Sequence, residues 1–190
     1  MARILNEGNL QFDFNNCPLV SDPVKFDTKA PYGIMSVDFV AETEDFLYFI
    51  EIKDFQNPHA PKEQRKADYE MLIAAGKGKA ALSDDDLSKG AMFTLKIGQK
   101  IKDSLLRKYA LGEAITKNIV YLVFINLDSL GTIERGRLKE RISGHIPTGL
   151  NNNEYSAFSS ITFDIVNAEQ LKKTYYITCT AKMQTEGGQS

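Results

Sequence analysis

The chain has 190 residues, 43% hydrophobic and 25% charged, with 13 Gly and 6 Pro, which gives a real core and argues against disorder. Its 23 basic and 25 acidic residues leave a net charge of −2, which excludes a wholly basic nucleic-acid coat protein. No run of 18 apolar residues exists, so no membrane span is expected, and MARILNEGNLQFDF lacks an apolar leader core, so a cytoplasmic location is expected. Cys17 and Cys179 lie far apart, without metal-ligand spacing, and are read as two reduced thiols. With His59 and His145 equally unpaired, structural zinc is not expected.

Residues 1–30 are irregular, with Leu10–Phe14 and Pro23–Asp27 as short strand candidates between Asn, Pro and Ser breakers. Ile34–Glu42 and Phe46–Phe55 are rich in β-formers and flank the short polar Thr43-Glu44-Asp45, so they predict an antiparallel hairpin. The Pro-rich stretch Asn57–Pro61 breaks the pattern, and a helix is predicted from Lys62 to Ala75, closed by Gly76 and Gly78. Ser83 followed by three Asp predicts a second helix start, its acids at the positive end of the dipole. Ile97, Ile101, Leu105 and Tyr109 recur every four residues as one helix face, with Gly112 as the stop.

Asn118–Leu127 is almost wholly apolar and of strand length, as expected of a central strand buried on both faces. A basic helix over Thr132–Ser143, a loop at Gly149–Tyr155, a strand at Ile161–Val166 and a short helix from Asn167 complete the order. The pattern predicts a single α/β domain over residues 1–190: a mixed central sheet flanked by helices, with a helical insertion at about 56–89. No Gly-rich phosphate loop is present, because Gly76–Lys79 follows a helix instead of a strand. Ser143 and Cys179 lack the partners of a nucleophile.

Charge is segregated along the chain. Lys96, Lys100, Lys102, Arg107 and Lys108 face a single acid, Asp103, in their stretch, and Arg135, Arg137, Lys139 and Arg141 face only Glu140 in theirs. Such runs are either solvated helix faces or local polyanion contacts. Lys96, Lys100, Lys102 and Lys108 are the candidate phosphate contacts.

The hairpin carries the candidate chemistry. Period two places Phe49, Glu51 and Lys53 on one face of their strand and Ile50 and Ile52 on the other. On the preceding strand Asp38 stands between Val37 and Phe39, and the short turn brings it toward Glu51 and Lys53. Two carboxylates and an amine converging between apolar strands require pairing or a metal. One reading is an ion-paired trio on a solvent-facing sheet. The other is a Mg²⁺ site, with Mn²⁺ as a substitute, held by Asp38 and Glu51, where Lys53 orients or deprotonates the attacking water.

Asp38, twelve intervening residues, then Glu51-Ile52-Lys53 within PYGIMSVDFVAETEDFLYFIEIKDF resembles the PD-(D/E)xK nuclease superfamily, the restriction-endonuclease-like proteins. Val37 stands where that motif has Pro. The resemblance covers roughly residues 20–130 and implies a core of helix, three-stranded meander, helix and strand. It further implies Mg²⁺-dependent hydrolysis of phosphodiester bonds in DNA, with Asp38 and Glu51 as metal ligands and Lys53 as the catalytic lysine. Gln99, on the following helix, is the implied additional polar residue of the site. Many members take a further Glu from an N-terminal helix; here Glu7 is the only acid ahead of the first strand candidate. The alternative is a catalytically inactive protein of this fold that binds nucleic acid or serves as an assembly module. The insertion is expected to carry specificity or a homodimer contact.

Overall fold

A computed structural model describes residues 3–28, 33–78, 82–113, 115–147 and 160–182. The Gly149–Tyr155 loop expectation lies outside them. Five strands form the main sheet in the order β3-β4-β5-β6-β7: Val24–Lys25, Phe39–Glu42, Phe46–Asp54, Asn118–Asn126 and Ile161–Val166. The first three run antiparallel, while β5, β6 and β7 are parallel. Helices α1 (Lys62–Gly76) and α2 (Asp84–Ala110) connect β5 to β6, and α3 (Thr132–Ser143) connects β6 to β7. A second sheet joins β1 (Ile4–Glu7), β2 (Leu10–Asp13) and β8 (Thr178–Ala181), with α4 (Ala168–Tyr175) leading into β8.

The layers follow from the side chains. Leu72, Phe93, Ile97, Ile101, Leu138 and Ile142 of α1, α2 and α3 pack on Phe49, Tyr121 and Val123. On the opposite face Phe12, Leu10 and Leu171 pack on Phe39, Ile50, Ile52, Leu122 and Phe124. The sheet therefore lies between a helical layer and a small second sheet, and β6 is buried from Ile119 to Ile125. The Ser83 capping box with Asp86 starts α2, and Asn167 does the same for α4 with Gln170.

Three local expectations change in the fold. The first hairpin strand begins only at Phe39, because the Met35 and Val37 N–H groups donate to Asp103 Oδ2 and Ser104 Oγ of α2, each at 2.9 Å, and not to a strand. The helix starting at Ser83 runs on through the basic run, α2 being continuous for 27 residues, so the segment set apart at about 56–89 ends inside it. It passes Gly90 against the Ala75 backbone and Gly98 against His145, where an added Cβ would lie 2.4 Å from the His145 Cβ. Tyr109 leaves the buried face and is 80% exposed, since each step of four residues overshoots a 3.6-residue turn by about 40°. No helix among the described residues is long and apolar enough to cross a membrane.

Candidate functional site

The β4–β5 hairpin has the register Phe39↔Ile50, so Asp38 enters the sheet opposite the Glu51 end of β5. The period-two assignment of β5 holds: Ile50 and Ile52 join the apolar cluster beneath the second sheet, and Glu51 points with Phe49 toward the helices. That face is not open to solvent. Glu51 is 0% exposed and Asp38 is 6% exposed, because α1 and α2 cover them. Two buried carboxylates at this depth would be costly without cations, and two ammoniums supply the compensation. Lys53 Nζ lies 2.7 Å from Glu51 Oε1. Lys100 Nζ lies 2.8 Å from the same oxygen and 3.5 Å from Asp38 Oδ1, bridging the acids.

The remaining Asp38 oxygen accepts the Ile52 N–H at 2.6 Å. Burial and the neighbouring Glu51 carboxylate push the Asp38 carboxyl up to about 7, against the opposing pull of Lys100 and Lys53. The Lys100 ammonium loses solvation here, but Glu51 and Asp38 outweigh that and hold its pKa above the ordinary value. Tyr121, fully buried beside these acids, keeps its phenol protonated and donates to the Ile97 carbonyl at 2.9 Å.

Glu51 Oε2 has no solvent contact and, among the described residues, no hydrogen-bond partner. An enclosed carboxylate oxygen in this state, next to a second carboxylate, suits a hard divalent cation. Sequence reasoning missed a further group: Glu7, Asp27 and Asp38 each place a carboxylate oxygen within 4.8 Å of the others. Asp27 Oδ1 is likewise enclosed and unpartnered among the described residues, while Glu7 takes Lys25 Nζ at 2.8 Å. The only local signal for Glu7 was that it stands as the sole acid ahead of the strand candidates. Asp38 is thus shared by two oxygen-rich clusters, and all their donors suit Mg²⁺ or Mn²⁺.

The other candidates divide. Lys96 lines the small cavity shared by Glu51, Lys53 and Lys100, and so sits at the site. Gln99 turns away and donates to Asp103, helping hold the Met35 segment against α2. Lys102 is exposed on the outer side of α2, beside exposed Leu95 and Leu106. Lys108 pairs with Glu113 and lies over the Phe26 ring. Arg107, counted in the same basic run, clamps the Phe26 and Thr28 carbonyls. Cys17 and Cys179 are free thiols. Family models, curated proteins and solved structures yield no significant match to this chain, so the site rests on its own geometry.

Proposed function

We propose that the protein is a metal-dependent nuclease that hydrolyses phosphodiester bonds of DNA, with a restriction-endonuclease-like core. The observation that carries this reading is the buried Asp38–Glu51 pair, with Glu51 Oε2 unpartnered and Lys53 on the same strand face. The β3-β4-β5 meander followed by helices and a parallel β6 supports the core that the motif implies. Asp38 and Glu51 would hold a hard divalent cation, Mg²⁺ or Mn²⁺, which would supply charge neutralisation and an activated water. Lys100, which bridges the acids, and Lys96, which lines the same cavity, are the cations that would meet a substrate phosphate there. Lys53 holds its ammonium two residues from Glu51, placed to orient the attacking water or to stabilise charge on the phosphoryl oxygens. Asp38, whose carboxyl is pushed up to about 7, would have to lose its proton to hold the cation.

Lys100 also favours a second reading, in which its ammonium permanently occupies the cation's place and the fold binds nucleic acid without cleaving it. One experiment separates them. With Mg²⁺, wild type should cleave DNA and melt at a higher temperature than in EDTA, with Mn²⁺ substituting. Asp38→Asn and Glu51→Gln should each abolish both effects. Binding without cleavage, and with no metal-dependent shift in melting, would establish the second reading instead.

A further inference from the structure

Beside Lys53, at the C-terminal end of β5, a cavity of about 200 Å³ opens between the strand end and the first two turns of α1. Its walls include Asp54 and Phe55 from β5 and its exit, and Gln64, Arg65 and Asp68 from α1. Lys53 and Asp68 also line the smaller cavity that holds Glu51 and Lys100, so the two spaces adjoin at the candidate lysine.

The chemistry of these walls is specific. Two cations, Lys53 and Arg65, face two acids, Asp54 and Asp68, so the cavity carries no net charge and is a poor receptor for a phosphate. Asp54 Oδ1 accepts from the Gln56 N–H and from Asn126 Nδ2, but other hydrogen-bonding capacity is unspent. Arg65 Nε and Asp54 Oδ2 are enclosed and have no partner among the described residues. No described residue takes a hydrogen bond or ion pair from the Gln64 or Arg65 side chain. A donor, an acceptor and an amide that offers both thus line a space to which Phe55 and Ile52 also contribute. The volume holds on the order of seven waters, the scale of one nucleobase and less than a base pair. A flat, neutral occupant with donors and acceptors on its edge matches this lining. Arg reads purine acceptors and a carboxylate reads an exocyclic amine, while an aromatic ring takes a base face.

We infer that this cavity receives a single unstacked nucleobase next to the scissile phosphate, and that Arg65, Gln64 and Phe55 determine the preference for such substrates. The inference rests on the nuclease reading and adds the substrate's form. A base inside a duplex cannot enter, so single-stranded or branched DNA is the substrate class, and intact duplex is disfavoured by the unstacking it would require. It also gives the segment between β5 and α2 a role, since α1 is the wall that reads the base.

The test measures binding of a fluorescent mixed-sequence single strand and of its blunt duplex, with Ca²⁺ replacing Mg²⁺. Wild type should prefer the single strand by tenfold or more. Arg65→Met and Phe55→Leu should each reduce that preference about tenfold, while the Mg²⁺-dependent rise in melting temperature persists and shows that the metal site is intact. Replacing successive nucleotides by abasic sites should weaken wild-type binding at one position and leave Arg65→Met indifferent there. Equal binding of the two DNA forms by wild type, or an undiminished preference in Arg65→Met, would overturn the subsite. Cleavage in Mg²⁺ without strand preference would overturn the subsite and leave the nuclease. Arg65-dependent single-strand binding without cleavage would leave the subsite and remove the nuclease.

Discussion

On the face covered by the second sheet, the main sheet meets aliphatic and aromatic side chains and the Cys17 thiol. Phe12 lies edge-on to both Phe39 and Phe124, each at 5.3 Å between centroids, and Ile50, Ile52 and Leu122 fill the space around them. On the helical face the same strands meet Phe93, Ile97 and Leu72, but the apolar packing is interrupted. Asp38, Glu51 and Asp103, the buried acids among the described residues, all lie on this side. One strand, β5, serves both environments by alternating residues. The two faces divide labour: one supplies the stability that permits the other to bury charge at a cost.

The sharpest way to break that division is at Phe12, which is fully buried. Phe12→Ala removes two edge-to-face ring contacts and leaves a cavity, and should cost about 4 kcal/mol in urea unfolding. The Mg²⁺-dependent melting shift, measured on the folded fraction, should be unchanged. A Phe12→Ala protein that loses the metal response while remaining folded would show that the faces are coupled.

The division was partly legible in the sequence, and the reason is range. The alternation of Phe49 to Lys53, the apolar run of β6 and the Ser83 and Asn167 helix starts are local patterns, and each is where the sequence put it. The mixed α/β class and the helices on one face of the sheet are as expected, while the second sheet on the other face is not. Strands β1 and β8 left no such pattern, being four residues long and half exposed. β8 finds its partner from across the whole chain, Leu10 against Ala181. In the second acid group, Glu7 lies far from Asp38 in the chain and meets it only through tertiary packing, while Asp27 follows β3, the strand paired with β4, where the Phe26 N–H donates to the Asp38 carbonyl at 2.8 Å. The burial of Glu51 was missed for a related reason: period two assigns a face but not what covers it. The basic run was read as one patch, yet charge counts do not show that Arg107 is spent on the Phe26 carbonyl and Lys108 on Glu113.

On the charged face the largest effect should come from Lys100, whose ammonium spans both acids. Lys100→Met leaves two buried carboxylates with only Lys53 nearby, and should destabilise the protein by roughly 3 kcal/mol at pH 8 in the absence of metal. Mg²⁺ should restore most of the loss, because the cation replaces the missing charge. Calorimetry with and without Mg²⁺ measures both. No recovery with Mg²⁺ would place the cation away from these acids.

Asp38→Asn should act in the opposite direction. The folded-state carboxyl titrates near 7, above its ordinary value of 3.8, so the folded protein binds the proton more tightly than the unfolded chain between those limits. Stability without metal therefore falls as pH rises from about 4 through 7, and the ionised group costs on the order of 3 kcal/mol above that window. Asn keeps an oxygen for the Ile52 N–H and removes the charge, so the variant should melt higher than wild type at pH 8, with the gap closing toward pH 5. The wild-type Mg²⁺ shift should grow over the same window, since the ion displaces the proton. A pH-independent gap would mean that Asp38 is not the titrating group.

The smallest effect on stability, and the largest on function, should come from Lys53. Its ammonium is one of two on Glu51 Oε1, and its side chain is 31% exposed, so Lys53→Met keeps the stem and leaves Lys100 to hold the acid. Stability should change by at most about 1 kcal/mol. Metal affinity should hold or increase, because a cation that competes for the Glu51 oxygen has gone. Cleavage should nevertheless fall by about 10²–10⁴-fold, the range expected when a positioned acid–base or electrostatic group is removed. Hydrolysis and melting temperature, measured on the same preparations of wild type and variant, give both numbers. Equal cleavage in the two would move the chemistry away from the Asp38–Glu51–Lys53 face. A large loss of stability instead would make Lys53 a structural counter-ion, and the contrast between a stabilising face and a reactive one would then rest on Lys100 and Lys96 alone.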